Sequence, residues 1–292
     1  MKLATARMAD GTTSAVRIDD DDSAVRLPHE DVGAVLRSEG WRAAAEAASG
    51  ERLDLRTIDY APVVVRPSKI VCVGLNYRSH ILESGLEVPA YPTLFAKFTE
   101  CLLGANDDIV LPPESESVDW EAELAVVIGT RVRRASADKA ANAIAGYSVL
   151  NDISIRDWQQ RTAQWLQGKT FEATTPVGPW LVTPDETDGA NARISCTVDG
   201  EEMQRATTSD LVFGPVDLVS YISTVVTLQP GDIIATGTPG GVGAARRPRR
   251  FLHDGSDLLT AIEGVGVCRN RCVRLTPALA APSSDGAVAG GR

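Results

Sequence analysis

Beyond residue 65 the chain is cut into many short apolar segments, each closed by a turn signal, and this punctuation constrains the fold more than any other feature. Residues 69–75 (KIVCVGL), 124–128, 145–150, 180–183, 194–198, 232–235 and 267–275 have the length and composition of strands. Helical periodicity is rarer. A short helix is expected after Asn76, another over about 155–166, and a third over about 215–227 with Leu218, Val219, Ile222 and Val225 as its apolar face. Strands that outnumber helices without strict alternation predict a mixed α+β, mainly β architecture rather than a doubly wound sheet.

A chain of 292 residues, at about 150 per domain, holds one large domain or a large one with a small companion. Residues 1–65 differ in texture. They carry the acidic run Asp19 to Asp22, an Ala-rich helical stretch over 32–48 and a Pro-bounded exit at Pro62 and Pro67. They read as a small N-terminal domain (1–65) ahead of a larger one (66–275). Residues 276–292 (TPALAAPSSDGAVAGGR) are small and polar and are expected to be a disordered tail. The four aspartates read as a solvated turn, because no Gly follows at the spacing of a calcium loop.

The 39 acidic and 29 basic residues leave a formal net charge of −10, which argues against nucleic acid and anionic membranes as partners. No apolar run approaches the ~20 residues of a membrane span. The opening MKLATARMADG does not read as a signal peptide, so a cytoplasmic location is expected. Cys72, Cys101, Cys196, Cys268 and Cys272 lack the paired spacing of a zinc site and read as reduced, buried thiols.

The segment VDWEAELAVVIG carries the densest chemistry. Glu121 and Glu123 stand two apart before an apolar run, so a strand beginning there projects both carboxylates from one face. They are either two solvated glutamates at a strand start or two mutually repelling groups that need a cation. Asp152 ends the apolar run GYSVLND, and Ser154 with Asp157 matches a capping box that would start a helix just after it. Three carboxylates at strand ends suit Mg²⁺ or Mn²⁺, and no Cys/His cluster favours zinc. Arg156 and Gln159 follow at helical spacing, with Lys169 in the next loop. Beside a metal, this guanidinium, amide and ammonium suit the carboxylate and keto groups of a small anion. His80 and Glu83 stand three apart, so one helical turn would let the carboxylate orient the imidazole as a general base; a surface pair is the alternative. DIIATGTPGGVG lacks the Lys of a phosphate loop. It reads as a tight turn whose amides and Thr238 hydroxyl approach a substrate carboxylate. Arg246, Arg247, Arg249 and Arg250 form an exposed basic loop or a seat for a second carboxylate.

In this order, VGLNYRSHILESG, FAKFTECLLG, VDWEAELAVVIG, GYSVLNDISIRDWQQR, QGKTF, TPVGPWLVT, TVDGEEMQ and ISTVVTLQPGDIIATGTPGGVG resemble the fumarylacetoacetate hydrolase family over residues 70 to about 273. The resemblance implies a β-roll catalytic domain, a small N-terminal domain, a homodimer, and Mg²⁺ or Mn²⁺ held at Glu121, Glu123 and Asp152. It implies that His80 with Glu83 activates water, that Lys169 steadies an enolate, and that Arg156, Gln159 and Thr238 contact substrate. The expected activity is cleavage of the C–C bond of acylpyruvate-like β-diketo acids, such as fumarylpyruvate, in aromatic-compound catabolism. The alternatives are decarboxylation of oxaloacetate or another 2-oxo acid, isomerisation of a 2-hydroxy-dienoate, and ligand sensing without turnover.

Overall fold

In the computed structural model, residues 1–19, 23–83, 85 and 87–274 are described, with only the backbone of Glu83 among them. The expected tail at 276–292 and Asp20, Asp21 and Asp22 of the acidic run lie outside the described residues. The strand Ala122–Ile128 is buried at every position, which explains why its sequence is nearly continuously apolar: the sheet is covered on both faces. It pairs antiparallel with Ile144–Asn151 on one side and with Ile233–Ala235 on the other. The strand Ile70–Gly74 then runs parallel to Ile233–Ala235 and is edged by Thr93–Lys97.

On the far side Ile144–Asn151 meets Thr175–Val182, which pairs with the N-terminal strand Lys2–Arg7. Thr13–Ile18, Ser23–Arg26 and Arg52–Asp54 continue outward, and Asp59–Tyr60 beside Lys2–Arg7 and Leu102–Leu103 beside Thr175–Val182 complete a 12-stranded sheet. The first 60 residues thus extend the sheet that carries the central strands. A second, five-stranded sheet has the order Glu201–Thr207, Arg193–Val198, Asp257–Ile262, Gly266–Arg274, Ile109–Leu111. The architecture is mixed α+β and mainly β. All five cysteines are free and buried.

Register brings the chemistry to one end of the large sheet. Ala122 pairs with Asn151, so Glu121 and Asp152 lie just beyond the ladder at the same end. Ala235 pairs with Ala125, so the Gly-rich loop that follows it emerges there too. The helix Arg78–Glu83 leaves the parallel Ile70–Gly74 strand at that end.

Local expectations fail in two places. The helix expected over 155–166 is two single turns, Arg156–Gln159 and Leu166–Lys169. The capping box at Ser154 does not form: Ser154 Oγ donates to the Asp152 carbonyl at 2.8 Å, and Asp157 accepts from Ser115 Oγ at 2.6 Å. Ser154–Ile155 instead pairs with Val118–Asp119. This short ladder competes with the helix for the same backbone and delays its start.

The two turns pack so closely that Gly168 has a defined role. A Cβ there would stand 2.3 Å from the Gln159 backbone nitrogen. Gly168→Ala should therefore push apart the turns carrying Gln159 and Lys169. We expect a loss on the order of 2 kcal/mol, read as a melting temperature lower by roughly 4–8 °C. An unchanged melting temperature would show that the turns separate freely.

Candidate metal centre and active site

Glu121, Glu123 and Asp152 each offer an oxygen, and these atoms lie within 4.8 Å of one another in the interior. Strand alternation aims both glutamates the same way, and the antiparallel partner delivers the aspartate. The Asp152 N–H donates to the Glu121 carbonyl at 2.8 Å, and Asn151 Oδ1 accepts from the Glu121 N–H at 2.8 Å. The carboxylates are buried, not solvated.

Three cations face them. Lys169 Nζ is 2.8 Å from both Glu121 Oε2 and Asp152 Oδ2. Arg156 spans Glu121 at 2.6 Å and Asp119 at 2.8 Å. Lys97, fully buried at the end of its edge strand, reaches Asp152 Oδ1 at 2.5 Å. Lys169 also lies 5.2 Å from the Phe95 ring centroid, and Phe95 packs edge-on against Trp165. This apolar wall keeps water from the ammonium.

Burial pushes the Glu121 carboxyl up, but the charges of Lys169 and Arg156 outweigh it and hold it down at about 2. Burial is the largest influence on Lys97 and Lys169 and opposes their charge, yet the surrounding acidic groups together outweigh it, Asp152 first and, for Lys169, Glu121 next, so both ammonium groups stay above the usual lysine range. Glu123 differs. Burial, then the charges of Asp152 and Glu121, push its carboxyl well above the ordinary range. The protein stabilises it with the Gly237 N–H, which donates to Oε2 at 2.7 Å.

Four carboxylates, counting Asp119, therefore face three cations, and Glu123 carries the excess. Clustered oxygen donors with one surplus negative charge fit a divalent cation with oxygen preference. Glu121, Glu123 and Asp152 would hold it.

The remaining expected residues gather around this cluster or on elements leading to it. Arg156 Nη1 donates to Gln159 Oε1 at 2.9 Å, so the two share a face. Thr238 follows Gly237 in the Gly-rich loop. His80 is half-buried on Arg78–Glu83, three residues after the fully buried Tyr77, whose phenol is raised by burial and by the charge of Glu123. The side chain of Glu83 lies outside the described residues.

The Gly-rich loop differs from expectation. Its amides serve protein carboxylates: Gly237 donates to Glu123, while Gly243 and Ala244 donate to Asp119 at 2.7 and 2.9 Å. Two of the nearby arginines, Arg246 and Arg250, are also engaged by the protein. Arg246 donates to the Met203 carbonyl at 2.8 Å, and Arg250 pairs with Glu201 and Asp199.

Sequence reasoning missed Lys97, Asp119, Asn76 and Gln204. Asn76 joins three segments: Nδ2 donates to the Phe213 and Thr236 carbonyls, and Oδ1 accepts from the Phe213 N–H. Lys97 ends an alternating strand and Asp119 precedes the Glu pair, so a charged residue beside an apolar run was their one local signal.

A mainly β fold with a buried triad of carboxylates, flanked by lysine and arginine, has the donor set of a candidate metal centre. Residues 69–273 match the family described as fumarylacetoacetate (FAA) hydrolase C-terminal. The chain belongs to the fumarylacetoacetate hydrolase family of enzymes. It is 44% identical over 252 residues to the mitochondrial oxaloacetate tautomerase Fahd2a of Rattus norvegicus, covering 85% of this chain and 80% of the relative. The crystal structure of 5-carboxymethyl-2-hydroxymuconate delta-isomerase from Mycobacterium smegmatis superposes with a TM-score of 0.79 at 32% identity, over 94% of this chain and all of that one. Fumarylacetoacetate hydrolase from Exiguobacterium antarcticum gives 0.84 at 29% identity, with the same coverage.

The expected cytoplasmic location is overturned by the mitochondrial rat relative. Comparing MKLATARMADG with the secretory pattern alone does not decide between cytoplasm and organelle.

Glu123 generates a prediction with a definite sign. Its folded value lies above the ordinary 4.5, so the unfolded chain binds fewer protons and the metal-free protein loses stability as pH rises from there toward the folded value. At pH 8, metal-free Glu123→Gln should melt higher than wild type, by roughly 2–4 °C per kcal/mol relieved. With Mg²⁺ the order should reverse. A variant that melts lower in both conditions would show that Glu123 carries no excess charge.

Proposed function

We propose that the protein is a tautomerase of small 2-oxo dicarboxylic acids of the oxaloacetate class, using Mg²⁺ or Mn²⁺. The observation that carries this reading is the buried Lys169 ammonium between Glu121 and Asp152. It provides a fixed positive charge beside the place where a bound 2-oxo acid becomes an enolate. The similarity to an oxaloacetate tautomerase and to a hydroxymuconate isomerase supports the same chemistry.

Glu121, Glu123 and Asp152 would hold the divalent ion, which would supply Lewis-acid stabilisation of the developing enolate. The protein groups do the rest. Arg156, Gln159 and Thr238 hold the substrate carboxylates and fix the C3–H bond relative to His80. His80 takes the C3 proton, and the bond's electron pair moves onto the 2-oxygen. Lys169 stays charged, since Asp152 and Glu121 outweigh its burial, so it contributes charge rather than a proton. His80 then delivers the proton to the 2-oxygen, completing the ketone-to-enol exchange; the reverse sequence consumes the enol.

A second reading, hydrolysis of acylpyruvates, is supported by the likeness to the Exiguobacterium hydrolase. There His80 would activate water, and the same cationic wall would stabilise the pyruvate enolate that departs. Incubation with oxaloacetate enol and, separately, acetylpyruvate distinguishes the two. Accelerated enol decay without CO₂ or pyruvate release supports the tautomerase; acetate and pyruvate from acetylpyruvate, with enol decay unaltered, would overturn it. His80→Ala should lower kcat by about 10²–10⁴-fold, the usual contribution of a positioned base. Mg²⁺ binding, followed by calorimetry, should persist, and its loss would mean that His80 is a ligand.

A further inference from the structure

Gln204 lies in the small sheet, yet its side chain reaches the Gly-rich loop of the large one. The turn at Asp199 and Gly200, both with positive φ (51° and 80°), pairs Val198 with Glu201, and a register shift between Thr197 and Cys196 then places Gln204 opposite Cys196. Gln204 is 1% exposed, so each of its polar contacts matters. Its Oε1 accepts from the Ala122 N–H at 2.9 Å. Its Nε2 donates one hydrogen to the Pro239 carbonyl and the other to Thr238 Oγ1, both at 2.8 Å.

These contacts permit one amide orientation. The flipped amide would set its oxygen against the Pro239 carbonyl and its NH₂ against the Ala122 N–H, opposing like polarity at both ends. Nε2 therefore faces Thr238, and the hydroxyl oxygen is occupied as an acceptor. Among the described residues the Thr238 hydroxyl donates to no protein acceptor, so its hydrogen is left for whatever enters beside the carboxylate cluster. Ala122 sits between the two glutamates, so the same amide ties the donor to the metal-site strand.

We propose that Gln204 is a positioning residue that commits the Thr238 hydroxyl to donate, making this corner of the site a receptor for an anionic oxygen of the substrate. The inference rests on the reading above that Thr238 meets substrate. A hydroxyl free to rotate can donate or accept and discriminates little. With one of its two lone pairs held by Gln204 Nε2, the hydroxyl cannot turn its hydrogen toward Gln204; that hydrogen is offered to the site and favours a carboxylate oxygen.

The test is a double-mutant cycle on the binding of oxalate, an unreactive carboxylate probe, to the Mg²⁺-loaded full chain, measured by calorimetry beside melting temperature. Thr238→Val and Gln204→Leu should each weaken oxalate by about tenfold, as for one hydrogen bond to a charged group. In the Thr238→Val background, Gln204→Leu should have little further effect. Gln204→Glu keeps the acceptor for Ala122 but turns the other arm toward Thr238 as an acceptor. It should weaken oxalate at least as much as Gln204→Leu, with a lower melting temperature because its second oxygen also faces the Pro239 carbonyl.

Losses that multiply, a Gln204→Glu variant that binds like wild type, or a wild-type protein that ignores oxalate would each overturn the proposal. Turnover of oxaloacetate enol by wild type is scored separately. Coupled oxalate binding without turnover overturns the tautomerase reading alone; turnover with uncoupled binding overturns the role of Gln204 alone.

Discussion

The burial of four carboxylates around a surplus negative charge is the constraint on which the rest of the structure depends. Asp119, Glu121, Glu123 and Asp152 lie in the interior, where an unpaired charge costs several kcal/mol. Lys97, Lys169 and Arg156 neutralise most of that charge and leave the remainder on Glu123. A site completed in this way favours a divalent ion. With a divalent ion bound, the same count would become one positive charge in excess.

The surrounding fold delivers these groups from separate parts of the chain. Antiparallel pairing brings Asp152 beside Glu121, and the same register sends the loop after Ala235 over Glu123. Asp119 joins Arg156 to the far end of that loop, accepting from Arg156 Nε, Gly243 N–H and Ala244 N–H. Gln204 brings the second sheet to the near end of the loop. The loop that carries Thr238 is thus held by carboxylates and an amide rather than left to fold around its ligand. Such preorganisation reduces the ordering cost of binding.

How much of this was legible in the sequence depends on the range of the interaction. The central strands Ala122–Ile128 and Ile144–Asn151 were readable from apolar runs because burial on both faces selects them directly, whereas Lys2–Arg7, Thr13–Ile18 and Ser23–Arg26, short and mixed with polar residues, were not. Glu121 with Glu123, and Arg156 with Gln159, were readable because period-2 and helical spacing are local. The helix at 155–166 was misread: a pairing of Ser154–Ile155 with Val118–Asp119, 37 positions away at its outer pair of residues, decides that backbone, and no local pattern records it. Lys97 and Gln204 were missed for the same reason. Lys97 meets Asp152 across 55 positions, and Gln204 meets Thr238 across 34. The glycines of the loop were correctly read as permitting close approach, but the partner is protein. Gly243 lies against the Arg250 carbonyl, and its N–H serves Asp119.

The central claim is that the three clustered carboxylates exist to hold one divalent ion. Anomalous diffraction from crystals grown with Mn²⁺ tests it most directly. The account predicts a single strong peak per chain, within bonding distance of oxygens from Glu121, Glu123 and Asp152. No peak there, with the carboxylates still held by Lys97, Lys169 and Arg156 alone, would contradict it.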